Sequence, residues 1–320
     1  MRRTIGIFAV ALAAGVFPAA AQNYPARPVR VIVTFPAGTA TDIVARIVAQ
    51  KLTELWGQNV IADNRGGAGG SIGSAIAARS VPDGYTLMIN SNAHAANPSM
   101  YAKLPYDTFK DFTDIAGLTG TPNVMVVNPG SKVKTIGEFL ADAKARPGKV
   151  NFASAGVGSG THLNLEKFKL AAHIDVVHVP YKGSPEVITD LIGGRIDYFF
   201  CPLSAGLPFV RDGKLRGIAV TSAKRSSLIP NLPTVAESGV PGFEFLLWFG
   251  LWGPAGLPPG IVGKIQNDVV RALGSPDVRE RLAAVANDPL EVKPKDFAKF
   301  VHQETADTTR IIKAAGIQPQ

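Results

Sequence analysis

The stretch KVNFASAGVGSGTHLNLEKF (residues 149–168) begins as a short apolar strand, passes through a run of small residues and then opens a helix. An earlier stretch, VRVIVTFPAGTATDIVARIVAQ (29–50), follows the same order. Near-continuous apolar strands that lead into helices are typical of parallel sheets covered on both faces. The two stretches therefore predict an α/β fold built from doubly wound sheets flanked by helices.

The same alternation continues along the chain and predicts two αβ lobes. Strands are predicted at 29–35, 59–64, 85–91, 121–129, 176–181, 195–200, 214–221 and 243–254. Helices are predicted at 42–56, 70–80, 135–145, 161–172, 184–193, 259–273, 276–285 and 294–314. Extended segments near 121–127 and 243–252 are candidates for crossing between lobes, so that residues 22–123 and 244–320 form lobe 1 and residues 124–243 form lobe 2.

The N-terminus and the composition indicate an exported protein. Residues 1–21 combine two arginines, an apolar core and an Ala19-x-Ala21 site, which predicts a signal peptide cleaved near Ala21 rather than a membrane anchor. Cys201 is the only cysteine, so no intramolecular disulfide can form, and we expect it to be a buried small hydrophobe. A periplasmic location fits these features. The net charge of +8 comes without a basic stripe interleaved with aromatics, which argues against nucleic acid as a partner.

Two small-residue loops, TFPAGTATD (34–42) and SAGVGSGTH (154–162), each precede a predicted helix. The first N–H groups of a helix lack intrahelical partners and carry partial positive charge, and small residues let an anion approach them closely. The loops therefore predict a ligand clamp, although ordinary βα turns with Ser and Thr caps are an alternative. A third run, NRGGAGGSIGSAIAA (64–78), lacks the dinucleotide spacing G-x-G-x-x-G and indicates a loop with a tightly packed helix, so no cofactor is expected.

Several polar side chains near these loops leave alternatives open. His162 could act as a base for Ser154 or Ser159, cap the helix or donate to an anion, and His94 has the same ambiguity. Asp42 could cap the first helix or face the cleft, and Asp197 could be structural or reach a ligand. Because no G-x-S-x-G or H-E-x-x-H motif is present, we expect neither an enzyme nor a metal site. An exported hydrolase that uses Ser159 and His162 is the enzymatic alternative.

Many ordered segments resemble the periplasmic receptors of the tripartite tricarboxylate transporter system, the Bug or TctC-like family. They include YPARPVRVIVTFPAGTATD, VIADNRGGAGGSIGSAIAARSVPDGYTL, VNFASAGVGSGTH, VPYKGSPEVITDLIGGRIDYFF and LPTVAESGVPGF. The resemblance implies a two-lobed, venus-flytrap periplasmic binding protein that binds small carboxylates and delivers them to membrane transporter subunits. It also implies that the loops Phe35 to Asp42 and Ser154 to His162 hold a carboxylate.

The ligand-binding candidates come from both loops and from strand ends nearby. They are Phe35, Ala37, Gly38, Thr39, Ala40, Asp42, Ser91, His94, Ser154, Ala155, Gly156, Gly158, Ser159, Thr161, His162, Tyr181 and Asp197. Thr39 and Ala40 stand where the family often has glycines, so the identity of the carboxylate does not transfer. The apolar segments FFCP and LWFG favour an aromatic or hydrophobic acid over citrate. We expect a monomer, and a receptor that signals to a sensor protein is the alternative to transport.

Overall fold

The structure is a computed structural model that describes residues 24–319. The predicted signal peptide at residues 1–21 lies outside this range. Among the residues that the structure describes, no helix is long and apolar enough to cross a membrane. Within the same range, no cluster of three or more His, Cys, Asp or Glu side chains could hold a metal ion.

The first elements form a parallel αβ layer. They are β1 (Val29–Val33), α1 (Ala40–Trp56), β2 (Val60–Asn64), α2 (Ser71–Ala78), β3 (Thr86–Ser91) and α3 (Ala93–Met100). Strand β1 lies between β2 and β3 and pairs in parallel with both. Four of its five residues are buried, as the apolar run VRVIV predicts for a central strand.

A second αβ layer follows a long strand. The elements are β4 (Phe112–Val127), α4 (Ile136–Ala145), β5 (Asn151–Ser154), α5 (Gly160–Ala172), β6 (Val177–Pro180), α6 (Ser184–Ile192), β7 (Tyr198–Pro202), α7 (Leu203–Arg211) and β8 (Arg216–Val220). Strand β5 pairs in parallel with β6 and with β7, which repeats the arrangement around β1.

The chain then returns to the first layer. The last elements are β9 (Leu246–Pro254), α8 (Pro259–Gly274), α9 (Pro276–Ala284), β10 (Asp288–Pro289) and α10 (Phe297–Ala314). Helices α8 and α9 pack on α1, where the Trp56 Nε1–H donates to Asp268 Oδ2 at 2.7 Å. Helix α10 packs on α3 and also on α5, so it contacts both layers.

Strand β4 connects the two layers and defines two lobes. From Phe112 to Pro122 it pairs antiparallel with β9, and from Asn123 onward it pairs antiparallel with β7 and β8. The first lobe has the strand order β2-β1-β3-β9-β4, and beyond β4 the order continues β7-β5-β6 in the second lobe. The lobe boundaries at 123/124 and 243/244 stay a prediction.

Several elements differ from the predicted pattern. Helices α3 and α7 were not predicted, because each carries an internal proline, Pro98 or Pro208, in a segment typical of a loop. Strand β4 begins at Phe112 rather than near residue 121. Its first part does not read as a strand in the sequence, because Gly117 and Gly120 interrupt the apolar pattern. Cys201 is buried in the core of the second lobe, as predicted.

Candidate functional site

The two small-residue loops face each other across the boundary between the lobes. Together with neighbouring strand ends they enclose a cavity of about 20 Å³, which is roughly the space that one water molecule needs. We call it the inner cavity. It is lined by Phe35, Thr39, Ala40, Thr41, Ser91, Ala155, Ser159, Gly160, Thr161, Ser184, Pro202 and Leu247. None of these side chains is charged.

Five helix starts lie around the inner cavity. The lining residues include the starts of α1, α5 and α6, the last residue of β3 before α3, and Pro202 just before α7. All five follow a parallel strand of one lobe or the other, at the carboxyl ends of the strands where ligands of open α/β sheets bind. Sequence reasoning missed Ser184, Pro202 and Leu247, although Ser184 follows β6 in the same strand–turn–helix order as the two loops.

The first loop leaves the start of α1 open. The Thr39 side chain at the N-cap donates to the Pro36 carbonyl at 2.7 Å, and no side chain of the described residues caps this helix. Ala40 and Thr41, the first two residues of α1, line the inner cavity. Their backbone N–H groups lie in the first turn, where donors lack intrahelical acceptors. The helix start therefore offers donors and the positive end of its dipole to the cavity.

Asp42 holds the first loop from inside the lobe and does not line the inner cavity. Its carboxylate is 4% exposed and accepts from the Gly38 N–H (2.9 Å), the Asn64 amide (2.9 Å) and the Arg46 Nε–H (3.0 Å). Burial alone would raise the pKa of Asp42, but the hydrogen bonds from Arg46, Gly38 and Asn64 outweigh it and lower the pKa. The ionised Asp42 side chain therefore fixes the shape of the loop. It does not cap α1, whose N-cap residue is Thr39.

The second loop has a partly capped helix start. The Ser159 side chain accepts from the His162 N–H at 3.3 Å, and the Thr161 hydroxyl accepts from the Ala155 N–H at 2.8 Å. The Ser159 and Thr161 hydroxyls lie 3.0 Å apart. Gly160 and Thr161 line the inner cavity opposite Ala40 and Thr41 of the other lobe. Two helix starts from different lobes therefore open onto one small space.

A buried histidine pair supports the second loop from behind. His162 Nδ1 accepts from the Gly158 N–H at 3.3 Å, and the His162 ring stacks on His178 with centroids 3.9 Å apart. His178 Nε2 lies 2.6 Å from Ser154 Oγ. Burial, and after it the electrostatic effects of His178 and of the charged Lys169, lower the pKa of His162 to about 3. Burial lowers the pKa of His178 to about 4, so both rings are neutral near pH 7.

These contacts decide how the predicted serine–histidine pairs are arranged. The Ser159 hydroxyl contacts Thr161 and the His162 backbone, while the His162 ring contacts Gly158. Ser154 is buried and contacts His178 rather than His162. Sequence reasoning missed this role of His178. Ser159 lines the inner cavity, whereas Ser154 and the two histidine rings do not. The serine that faces the inner cavity is therefore not the one that contacts a histidine ring.

The structure does not bring His94 or Asp197 to the inner cavity. His94 lies in α3, is 0% exposed and packs against Trp252 and Phe112 at centroid distances of 4.6 and 4.8 Å. Burial lowers its pKa to about 3. Asp197 immediately precedes β7 and accepts from the Asn151 N–H at 3.1 Å. Because β5 and β7 are parallel, Asp197 lies at the amino ends of these strands, and the loops lie at the carboxyl ends.

The other candidates lie at the tip of the first loop or beside the second loop. Ala37 and Gly38 are exposed at the tip of the first loop. Gly156 and Tyr181 line a neighbouring cavity that shares Phe35 and Ala155 with the inner cavity. Gly158 packs across the lobe boundary, where a Cβ atom would lie 3.0 Å from Asn97 Oδ1 of α3. The Tyr101 hydroxyl also crosses this boundary and donates to the Val157 carbonyl at 3.1 Å.

The FFCP and LWFG segments place most of their side chains in the cores. Phe199, Phe200 and Cys201 are buried in the second lobe, and Phe249 is buried in the first. Only Pro202 and Leu247, which border these aromatic residues, line the inner cavity. The apolar character of the two segments therefore comes from packing and gives no support to a preference for an aromatic ligand.

Two αβ lobes with a cleft at the carboxyl ends of their strands define a solute-binding protein of the venus-flytrap class. The family model for the tripartite tricarboxylate transporter family receptor matches residues 44–317. Protein BugT of Bordetella pertussis is 37% identical over 314 residues, which cover 98% of this chain and 96% of BugT. The chain therefore belongs to the tripartite tricarboxylate transporter receptor family, as its sequence segments predict.

Solved structures of relatives agree with this assignment. The structure of R. palustris Rpa4515 with adipate has a TM-score of 0.89 and 34% identity, and the match covers 93% of this chain and 100% of that chain. MatC from Rhodopseudomonas palustris with bound malate has a TM-score of 0.83 and 31% identity, with 90% and 100% covered. The two-lobed fold of a periplasmic binding protein is thereby confirmed, and receptors of this family bind solutes in the periplasm.

Proposed function

We propose that this chain is a periplasmic receptor for small organic carboxylates, which it captures between its lobes and delivers to a transporter of the tripartite tricarboxylate type. The observation that carries the proposal is that α1 and α5, from opposite lobes, begin at one uncharged cavity. The relatives solved with adipate and with malate support this ligand class.

The binding chemistry rests on backbone donors. A carboxylate in the inner cavity would accept from the N–H groups of Ala40 and Thr41 in one lobe and of Gly160 and Thr161 in the other. Hydrogen bonds to a charged group contribute roughly 1.5–3 kcal/mol each, so a few of them hold an anion without a basic side chain. The absence of a lining carboxylate among the described residues favours an anion over a cation in this space.

Binding also requires the lobes to move. The inner cavity has room for about one water molecule, so a ligand enters only when the lobes separate. We propose that residues 22–123 with 244–320 and residues 124–243 move as two bodies about β4 between Pro122 and Asn123, where this strand changes partners. An anion bound to both helix starts would favour the closed form over the open form.

We further propose that the mature chain is exported after cleavage near Ala21, is monomeric and performs no catalysis. Two observations support the last point: Ser159 contacts Thr161 rather than a histidine ring, and Ser154, which contacts His178, is fully buried and does not line the inner cavity. The hydrolase alternative predicts turnover of ester substrates that is lost in Ser159→Ala. A receptor that signals would instead copurify with a sensor protein, which a pull-down with the ligand-bound chain would detect.

Isothermal titration calorimetry tests the proposal on protein that has been unfolded and refolded to strip any bound ligand. We expect adipate, malate or another small carboxylate to bind, and the matching neutral amide to bind at least tenfold more weakly. The amide keeps the shape of the acid but lacks the charge that the helix starts attract. If no carboxylate binds, or if acid and amide bind equally, the proposal is wrong.

A further inference from the structure

A groove lies behind the strands that connect the two lobes. Its volume is about 570 Å³, and it shares no lining residue with the inner cavity. One wall is the loop 222–228 of the second lobe, and the other is formed by Ala283 of α9 and residues 288–291 of the first lobe. Its floor includes Pro122 of β4 and Leu246 of β9. We call it the hinge groove.

The hinge groove and the inner cavity lie on opposite faces of β4 and β9. Successive residues of a strand point to opposite faces, and Leu247 lines the inner cavity whereas its neighbour Leu246 lines the hinge groove. Leu247 is buried, and Leu246 is 41% exposed. On β4, Pro122 pairs with Leu246 and lines the groove, whereas Thr121 pairs with Leu247 and does not. The lobes therefore face each other on both sides of these strands.

This arrangement couples the hinge groove to the movement of the lobes. The proposed hinge lies between Pro122 and Asn123 of β4, with the inner cavity on one face of the strand and the hinge groove on the other. A rotation about this hinge that separates the lobes at the inner cavity brings the walls of the hinge groove together. The groove is therefore wider in the closed form than in the open form. A change that resists its narrowing favours the closed form.

The two walls of the hinge groove carry opposite charges. Lys224 and Arg225 lie on the wall of the second lobe. Asp288 and Glu291 lie on the wall of the first lobe, and Glu244 beside β9 adds a further negative charge. Arg225 pairs within its own lobe, and no ion pair joins the two walls within residues 24–319. Because opposite charges attract more strongly as they approach, narrowing of the groove stabilises the open form.

We propose that the hinge groove controls ligand affinity from a distance: attraction between its charged walls holds the lobes open at the inner cavity until a carboxylate binds there. The inference rests on the proposed function, because it uses the hinge and the ligand proposed there. It makes Lys224 an affinity-determining residue that does not touch the ligand. Without ligand the receptor rests in the open form that admits an acid, and the affinity is lower by the fraction of the closed form.

Charge reversal tests the electrostatic part of this inference. In Lys224→Glu the second wall repels the acidic first wall, so the open form loses stability. Calorimetry on stripped protein should give a dissociation constant for adipate about two- to fivefold lower than in the wild-type protein, in line with the modest strength of exposed ion pairs. High salt should reduce this difference, because exposed charges are screened. Lys132→Glu is the matched control, because Lys132 lines a different cavity of the second lobe, and it should leave the dissociation constant unchanged.

Filling the hinge groove tests the geometric part. Ala283 is exposed in α9, so Ala283→Trp places a bulky side chain between walls that approach each other on opening. We expect adipate to bind about three- to tenfold more tightly, because the closed form gains population. Small-angle X-ray scattering without ligand should show a smaller radius of gyration. Ala284→Trp is the matched control and should change neither quantity, because Ala284 is exposed in the same helix but does not line the groove.

The possible failures are distinguishable. If Lys224→Glu or Ala283→Trp binds adipate with wild-type affinity or more weakly, the hinge groove does not control closure and the inference is wrong. If neither adipate nor any other carboxylate binds to the wild-type protein, the proposed function itself is wrong. The radius of gyration without ligand still tests the hinge groove in that case, and an equal value for Ala283→Trp and Ala284→Trp would overturn the inference.

Discussion

Gly160, the first residue of α5, packs tightly against the first lobe. A Cβ atom at this position would lie 2.2 Å from Leu247 Cδ1 and 2.3 Å from Asn92 Oδ1. Ordinary van der Waals contacts of a Cβ atom begin near 3.4 Å, so Gly160→Ala needs about 1 Å of separation. Both atoms end buried side chains of the first lobe, so the added methyl group must either displace these two side chains or keep the lobes slightly apart.

We expect Gly160→Ala to have a large effect on ligand binding and a small one on folding. If the Gly160 and Thr161 N–H groups retreat by about 1 Å, at least one hydrogen bond to the carboxylate is lost, which weakens binding by roughly 1.5–3 kcal/mol. The dissociation constant should therefore rise about tenfold or more. The free energy of unfolding should change little without ligand, because opening of the lobes relieves the clash.

Gly263→Ala is the matched control, since Gly263 lies within α8 and its Cβ atom would meet no neighbour within 4 Å. It should stabilise the fold by up to about 1 kcal/mol through helix propensity and leave ligand affinity unchanged. Calorimetry gives the affinities, and small-angle X-ray scattering should show that Gly160→Ala stays more extended with ligand. Wild-type affinity and compaction in Gly160→Ala would refute the reasoning.

Three further predictions concern the lobe contact, the first loop and pH. Tyr101→Phe removes the hydroxyl that donates to Val157 across the lobe boundary, so calorimetry should show an affinity about three- to tenfold lower for every ligand. Tyr181→Phe is the control and should show no such reduction, because the Tyr181 hydroxyl contacts Asp190 within its own lobe. Asp42→Asn replaces an ionised acceptor of three hydrogen bonds, so urea titration should show a free energy of unfolding about 1–3 kcal/mol lower, and ligand binding should weaken. An unaltered midpoint of urea unfolding would contradict the role given to Asp42. Burial lowers the pKa of three histidines from 6.5 to about 3 or 4 in the folded protein. Below pH 6.5 the unfolded chain therefore binds more protons than the folded one, and the free energy of unfolding should fall from pH 6.5 toward pH 3. Equal melting temperatures at pH 7 and pH 4 would exclude this.

The fold could be read from the sequence because its parallel strands are buried on both faces. Apolar runs such as VRVIV are visible without an alignment, and the small residues after them mark the turns into α1 and α5. Helix α3 was hidden because Pro98 and several polar residues interrupt its pattern. Yet α3 and the residue after it, Tyr101, contact the second loop across the lobe boundary.

The site was predicted in its backbone and less well in its side chains. Thr39, Ala40, Ser159 and Thr161 line the inner cavity because the strand–turn–helix order places them there. The sequence could not exclude Asp197 from the ligand site, because it did not show at which end of β7 this residue lies. The packing of His94 against Trp252 and the contact of His178 with Ser154 join residues far apart in the chain, and no local sequence pattern reveals such contacts.

The central claim is that one carboxylate is held by helix starts of both lobes, and nuclear magnetic resonance tests it most directly. Backbone amide signals of ¹⁵N-labelled protein would be followed during titration with the tightest-binding acid and with its neutral amide. We predict that the acid produces large downfield proton shifts at Ala40 or Thr41 and at Gly160 or Thr161 together, and that the amide does not. Saturating binding of the acid with shifts confined to one lobe, or absent from both helix starts, would contradict the account.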